Sequence, residues 1–338
     1  MRIFGLKEFS DAPALLGVAI DVSGSMTSSI HNNQALDISR LGGVEKGMDA
    51  LLNKSRELAQ QYGRDVKFPL NIFAYAFGLK VNPHYVDVLS LIKLSEDKDF
   101  KAYLANCGMK KINSEFGGLV NLARSYGFGH YVDAYAQMTG IEEVLKTRIV
   151  DKTLSIGELS EMWANSGGSF NDAHQLIFGS TPMQACLEEI ERRFQREQKH
   201  EKAKTHERIL LIISDGEPTD GNPFEVVKRM KTEGIIVACA YVTDSNVQAP
   251  KELRDIPNSN WSNGARLMFD MASSFEPLEN TLNNAGCKTL QEDLIKSGWS
   301  APDGAKLFIQ INHSEVLADF MRIVATAIPA QKLLKSVL

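Results

Sequence analysis

The sequence predicts an α/β fold, a doubly wound, mainly parallel sheet flanked by helices, with a mainly helical insertion. Three observations carry this. Short, wholly apolar runs stop at Asp or turn residues, as strands buried on both faces do. Segments with helical spacing of apolar residues lie between those runs. One long stretch lacks the alternation.

In chain order, Ala14-Leu-Leu-Gly-Val-Ala-Ile20 is the first such run and ends at Asp21. Val44, Met48, Leu51, Leu52, Leu58, Ala59 and Tyr62 then recur at helical spacing, with Gly63 where a C-cap belongs. Phe68 to Phe77 reads as the second strand, closed by Gly78. Arg208 to Ser214 is the clearest strand, and Asp215-Gly216 follows it. Phe224 to Lys231 reads as a helix and Ile235 to Val242 as the next strand. The turn signal Asp303-Gly304 precedes a strand over Lys306 to Ile311. Ser314 is placed to cap a helix with Val316, Leu317, Phe320, Ile323 and Val324 on one side.

Residues 79–176 break the rhythm. They hold helical pieces at Asp99–Asn106, Leu119–Tyr126, Tyr131–Lys146 and Ile156–Trp163, separated by glycine junctions at Gly117-Gly118, Gly127, Gly129 and Gly167-Gly168. Phe116, Tyr126, Phe128, Tyr131, Tyr135, Trp163 and Phe170 are expected to form a core there, the alternative being a partner surface beside the functional face.

Composition narrows the function classes. The chain has 338 residues, 43% apolar and 23% charged, an ordinary globular balance. A net charge of −5 disfavours a general nucleic-acid binder. Cys107, Cys186, Cys239 and Cys287 show neither zinc spacing nor disulfide density, so reduced, packed thiols are expected. The start does not read as a signal peptide, and no run approaches the ~18 apolar residues of a membrane span. A soluble, cytoplasmic protein that does not engage membrane is the expectation. The dense mixed charges from Glu188 to Arg208 read as a solvated helix.

In parallel sheets, ligands sit at the carboxyl ends of strands. There, Asp21, Ser23 and Ser25 alternate along one turning segment and present a carboxylate and two hydroxyls. Thr181, in Gly179-Ser-Thr-Pro-Met183, stands before a helix that Pro182 is expected to open. Asp215 closes the strongest strand. This all-oxygen set suits a hard cation, Mg²⁺ first, with Mn²⁺ or Ca²⁺ as alternatives. Each part also has a local explanation. The serines and Thr181 are good helix caps, and Asp215-Gly216 is a good turn.

The three parts together resemble the metal-ion-dependent adhesion site of the von Willebrand factor A family, the integrin I-like fold. Its pattern is D-x-S-x-S, a distant Thr and a distant Asp. Here these are Asp21-x-Ser23-x-Ser25, Thr181 and Asp215. Ala19-Ile-Asp-Val-Ser-Gly-Ser-Met26 and Ile212-Ile-Ser-Asp-Gly-Glu-Pro-Thr219 are similar to the family's wording, and Ser180 departs mildly from its Gly-Gly-Thr-Pro loop. The resemblance implies that Ser23 and Ser25 bind the metal directly, Thr181 directly or through water, and Asp21 and Asp215 partly through water. It also implies an open position for a partner's Asp or Glu carboxylate. Because Asp21 and Thr181 must then meet at one metal, the chain is expected to be a single domain over 1–338. Its core would be 12–78 and 177–327, with 79–176 inserted.

The expected function is therefore a non-enzymatic, Mg²⁺-dependent protein-binding or adaptor module. The family context adds multi-protein machines, with an AAA+ ATPase or a kinase/phosphatase system of the bacterial stress or defence type as partner. The alternative is a metal-dependent hydrolase or phosphotransferase using Asp21 and Asp215. No G-x-S-x-G, phosphate loop or zinc-type histidine pair supplies it with a nucleophile or base.

Overall fold

The computed structural model describes residues 14–30, 38–61, 70–79, 85–88, 98–147, 153–165, 179–199, 207–275 and 285–337. Strand β1 (Ala14–Asp21) leads through a 3-10 turn at Gly24–Thr27 to a small antiparallel pair, β2 (Ser29–Ile30) and β3 (Ile38–Ser39). Helix α1 (Arg40–Gln61), β4 (Leu70–Phe77) and β5 (Tyr85–Asp87) follow. A helical pair comes next, α2 (Lys98–Ser125) and α3 (Gly129–Thr147). After it come β6 (Leu154–Ser155), α4 (Ile156–Asn165), α5 (Met183–Gln198) and β7 (Glu207–Ser214). The last elements are α6 (Phe224–Thr232), β8 (Ile235–Val242), α7 (Asn263–Met271), α8 (Ala285–Lys296), β9 (Phe308–Ile311) and α9 (Ser314–Val337).

The main sheet has seven strands in the order β5-β4-β1-β7-β8-β9, with β6 also on β4. From β4 to β9 every pairing is parallel, and β5 and β6 run antiparallel to β4. Alternation along the strands builds two cores. On β1 and β7, Leu16, Val18, Ile20, Ile209, Leu211 and Ile213 face one side. Leu15, Ala19, Leu210 and Ile212 face the other. Helices α1, α4, α8 and α9 cover the first face, through residues such as Met48, Trp163, Leu294 and Phe320. Helices α5, α6 and α7 cover the second, through Phe194, Val227 and Phe269. Two apolar faces on each central strand explain the unbroken apolar runs in the sequence. Among the described residues no helix is long and apolar enough to cross a membrane.

The stretch between β4 and β7 differs from expectation in three ways. The helical pieces expected at 99–106 and 119–126 are one helix, α2, broken only at Phe116 (φ −137°, ψ 25°). The adjacent Gly117-Gly118 pair accounts for that break, since paired glycines are a common cause of kinks. The stretch also supplies the short edge strands β5 and β6, too brief for periodicity to reveal. The expected aromatic core holds only for Trp163, which is buried and donates its indole N–H to Asp49 at 2.6 Å. Phe116, Tyr126, Phe128, Tyr131 and Tyr135 are exposed instead. Among the described residues the pair α2 and α3 buries Ile112, Val120 and Ala136 in a core of its own, and those rings stand outside it. Phe170, Tyr62 and Gly63 lie outside the described residues.

Two charges read as solvated on α5 are buried. Glu191 accepts a bidentate pair from Arg229 at 2.9 and 2.7 Å. Arg193 donates to Thr153 at 2.6 Å and pairs with Glu197 at 2.9 Å. On the opposite face, Asp319 of α9 accepts from Lys251 at 2.8 Å, from the Trp299 indole at 3.0 Å, and from Arg322. Burial alone would push the Asp319 carboxyl up, but these donors outweigh it and hold it below the usual carboxylate value. A depressed carboxyl contributes stability above its unfolded value of about 3.9 and loses it as pH falls through the folded value. Asp319→Asn is therefore expected to cost about 1 to 2 kcal/mol at pH 7. The gap from the parent should narrow by pH 3, as read by denaturant titration at both pH values.

Candidate functional site

Strands β1 and β7 are neighbours, and their crossovers leave in opposite directions, to β4 and to β8. Their carboxyl ends therefore bound the crevice where doubly wound sheets place ligands. Asp21 and Asp215 stand at those ends.

Asp21 is the last residue of β1 and has no exposed surface. Its carboxylate accepts the Ser23 amide at 2.8 Å and the Ser214 hydroxyl at 2.6 Å. Burial pushes the carboxyl up to about 6. The Ser214 and Ser23 hydrogen bonds work against that rise, and the charge of Asp215 adds to it. A buried carboxylate so placed gains from any cation brought to it.

The next turn carries the hydroxyls. Ser23 stands at the N-terminal boundary of the 3-10 turn, but its side chain does not cap it. The Ser23 and Ser25 hydroxyls are 3.1 Å apart, and Ser25 donates to the Asp215 carboxylate at 2.8 Å. Both serines are thus turned toward the crevice and away from the local backbone.

Thr181 arrives from the other side. Pro182 holds the N-cap position of α5, not the first helical turn as expected, and no side chain at that position caps the helix. Asp220 takes over that task, accepting the Gln184 and Ala185 amides at 3.1 and 2.8 Å. Thr181 is instead strapped by its backbone to Thr219, through reciprocal bonds of 2.9 Å. Its hydroxyl lies 3.2 Å from where a Cβ on Gly216 would stand, so the Thr181 loop adjoins the Asp215-Gly216 turn. Hydrogen bonds connect Asp21, Ser23, Ser25 and Asp215 in series, the Thr181 loop adjoins them at Gly216, and Asp21, Ser23, Thr181 and Asp215 are buried.

Arg40, the first residue of α1, was not legible in the sequence. Its guanidinium is ion-paired with the Asp215 carboxylate and stands 3.7 Å from Asp244. Its Nε is buried without a partner. No spacing rule links residues 175 apart, and a lone arginine at a helix start carries no motif. Ser214 and Asp220 were missed too, although each adjoins the Asp215 turn.

The chemistry is that of hard oxygen donors. Two carboxylates, two serine hydroxyls and one threonine hydroxyl suit an oxygen-seeking cation. Among the described residues no three His, Cys, Asp or Glu side chains gather into a metal-holding group. The buried thiol of Cys186 is pushed well above its ordinary value by burial, and Cys239 is pushed up to about 12 by the same cause. Neither is a thiolate nucleophile at neutral pH.

The von Willebrand factor type A domain model matches residues 173–284. The chain carries a von Willebrand factor type A domain. The matched span holds Thr181 and Asp215, while Asp21, Ser23 and Ser25 lie outside it. Domains of this family are in general non-catalytic modules that bind protein partners.

Among solved structures, the domain is similar to the pilus adhesin SpaC of Lactobacillus rhamnosus GG, with TM-score 0.47 and 11% identity over 94% of this chain and 31% of that one. Proximal thread matrix protein 1 of the mussel byssus gives TM-score 0.39 and 9% identity, over 92% of this chain and 47% of that one. BatB of Bacteroides thetaiotaomicron gives TM-score 0.38 and 13% identity, over 95% and 99%. The chain thus spans less than half of the first two structures. No curated protein matches it.

Proposed function

We propose that this von Willebrand factor A domain is a divalent-cation-dependent protein-binding module, with Asp21, Ser23, Ser25, Thr181 and Asp215 holding Mg²⁺. The observation that carries the reading is the side-chain direction of Ser23 and Ser25. Neither is spent on capping, and Ser25 reaches Asp215 across the crevice. The local explanations for these residues weaken accordingly, because Asp220 does the capping that Thr181 was available for. The donor set fits a hard dication in kind and charge. The bound cation supplies a Lewis-acidic point for an outside carboxylate. The residues of this chain confine that point to the crevice and leave it short of one anionic oxygen, which an Asp or Glu of a protein partner provides.

The rest of the reading follows the same support. The in-register pairing of β1 with β7 favours one domain over 1–338, and because β5, β6 and α4 join the main sheet and its first face, the inserted part narrows from 79–176 to the α2–α3 pair. Unpaired Cys107, Cys186 and Cys239 favour a reducing, cytoplasmic setting. An adaptor role within an AAA+ ATPase or kinase/phosphatase assembly belongs to this proposal as its context.

Arg40 gives the reading a sharp test. Its guanidinium neutralises Asp215, so a dication has to compete with it. Arg40→Ala is expected to tighten Mg²⁺ or Mn²⁺ binding by about tenfold or more, some 1.4 kcal/mol, measured by calorimetric titration. Partner capture by the parent protein should require Mg²⁺ and be reversed by EDTA. Capture indifferent to EDTA, with no saturable metal binding in either protein, would discard the proposal.

A further inference from the structure

The helical pair α2 and α3, with the turn that joins them, carries seven of the nine large apolar side chains that are exposed among the described residues. Their exposures run from 47% to 72%, on a protein whose other such residues, Ile256 and Ile295, stand singly. Isolated exposed apolar residues are ordinary, whereas a contiguous set marks a contact surface. This set is contiguous. Phe116 and Leu119 on α2 and Tyr131 and Tyr135 on α3 form the walls of a shallow groove of about 270 Å³, floored by Ile112 and Val120. Leu122, Tyr126 and Phe128 continue the apolar surface toward the tip.

From this geometry we infer that the α2–α3 pair is a self-association surface, and that its occupant is the same pair of a second copy of this chain. Three features point to a second copy. The first is the core of the pair itself, which among the described residues consists of Ile112, Val120 and Ala136. Two helices alone rarely make a stable core, and four helices packed through facing apolar stripes do. The second is area. With about 100 Å² covered per partly exposed large side chain, the surface hides roughly 700 Å² per copy, near the ~800 Å² per partner of stable interfaces.

The third is charge. A two-fold contact sets a patch against itself, so a patch of one sign would repel. Here Arg124 pairs with Asp133 at 2.7 Å and Lys111 with Glu143 at 2.5 Å, so the flanking charges are already balanced. The same balance disfavours a membrane surface, which calls for a cationic rim.

Glycines shape the surface for this use. A Cβ on Gly108 would stand 1.7 Å from the Ala136 carbonyl oxygen, so α2 and α3 meet there backbone to backbone. At Gly117 and Gly118 a Cβ would meet nothing, leaving room beside Phe116 for side chains of the facing copy.

Sedimentation equilibrium of the full chain tests this, between about 1 and 100 µM and with and without EDTA. The expected result is a dimer under both conditions, because the surface is independent of the crevice at Asp21. Leu119→Glu should weaken the dimer by about 30-fold or more, with an unchanged circular dichroism spectrum, since the side chain is exposed. Leu119→Met should keep it. A parent chain that stays monomeric to 100 µM overturns the inference, including one that instead co-sediments with phosphatidylcholine vesicles. A dimer equally tight in Leu119→Glu also overturns it, by placing the contact elsewhere.

Discussion

Asp21→Ala is expected to abolish saturable Mg²⁺ binding, a loss of more than the 10- to 100-fold typical of outer-shell groups, and with it the capture of an acidic partner. The fold should survive. The carboxylate sits fully buried beside Asp215, and burial and that neighbouring charge raise its pKa to about 6. Removing it relieves that cost while stranding the Ser214 hydroxyl, which donates to it at 2.6 Å. The two effects oppose each other, so unfolding free energy should move by no more than about 2 kcal/mol. Calorimetric titration with Mg²⁺ and pull-down with Mg²⁺ or EDTA read the first effect, and urea titration reads the second. Capture that persists in a folded Asp21→Ala protein would move the binding surface away from the crevice. Mg²⁺-dependent hydrolysis of phosphate esters that disappears in Asp215→Ala would favour the enzymatic alternative.

The largest stability loss should follow Gly17→Leu. Gly17 lies in the middle of β1, and a Cβ there would stand 2.8 Å from Phe73 and 2.9 Å from Phe194. Those two rings meet edge to face with centroids 5.0 Å apart and pin α5 to the sheet. A leucine has no open volume to enter, so either the rings leave their rotamers or α5 lifts. Overpacking of this kind costs typically 1 to 3 kcal/mol, and the upper end is expected because both neighbours are aromatic and buried. Because Thr181 immediately precedes α5, the variant should also weaken metal binding without touching a donor. Urea midpoints and metal titration on one sample test both effects. A variant as stable as the parent would mean that the strand and α5 are less tightly coupled than these distances imply.

The central strands were legible because burial on both faces writes itself as an uninterrupted apolar run. Ile235–Val242 shows this without adjustment, and Ala14–Asp21 needs one added residue. The five residues proposed to hold the cation stand out in the sequence because each lies in or beside a strand-end or helix-start loop, where local sequence and position in the fold coincide. Arg40 was not, since its role comes only from a long-range approach to Asp215. The aromatic residues of α2 and α3 were misread for a related reason. Composition says that such rings are usually covered, but only topology says whether anything stands over them. The strands β5 and β6, three and two residues long, are set by pairing with β4 and leave no period to read.

Those two short strands have a further consequence. Asp87 pairs with Tyr75 and Leu154 with Ile72, so the chain leaves and rejoins the sheet at points three residues apart on β4. That is about 10 Å along a strand, and both points lie on the edge away from β1. The segment between them is therefore attached like a cassette, with its entry and exit clamped side by side on one rail. A change of length within such a cassette leaves the spacing of its two attachment points on β4 unaltered.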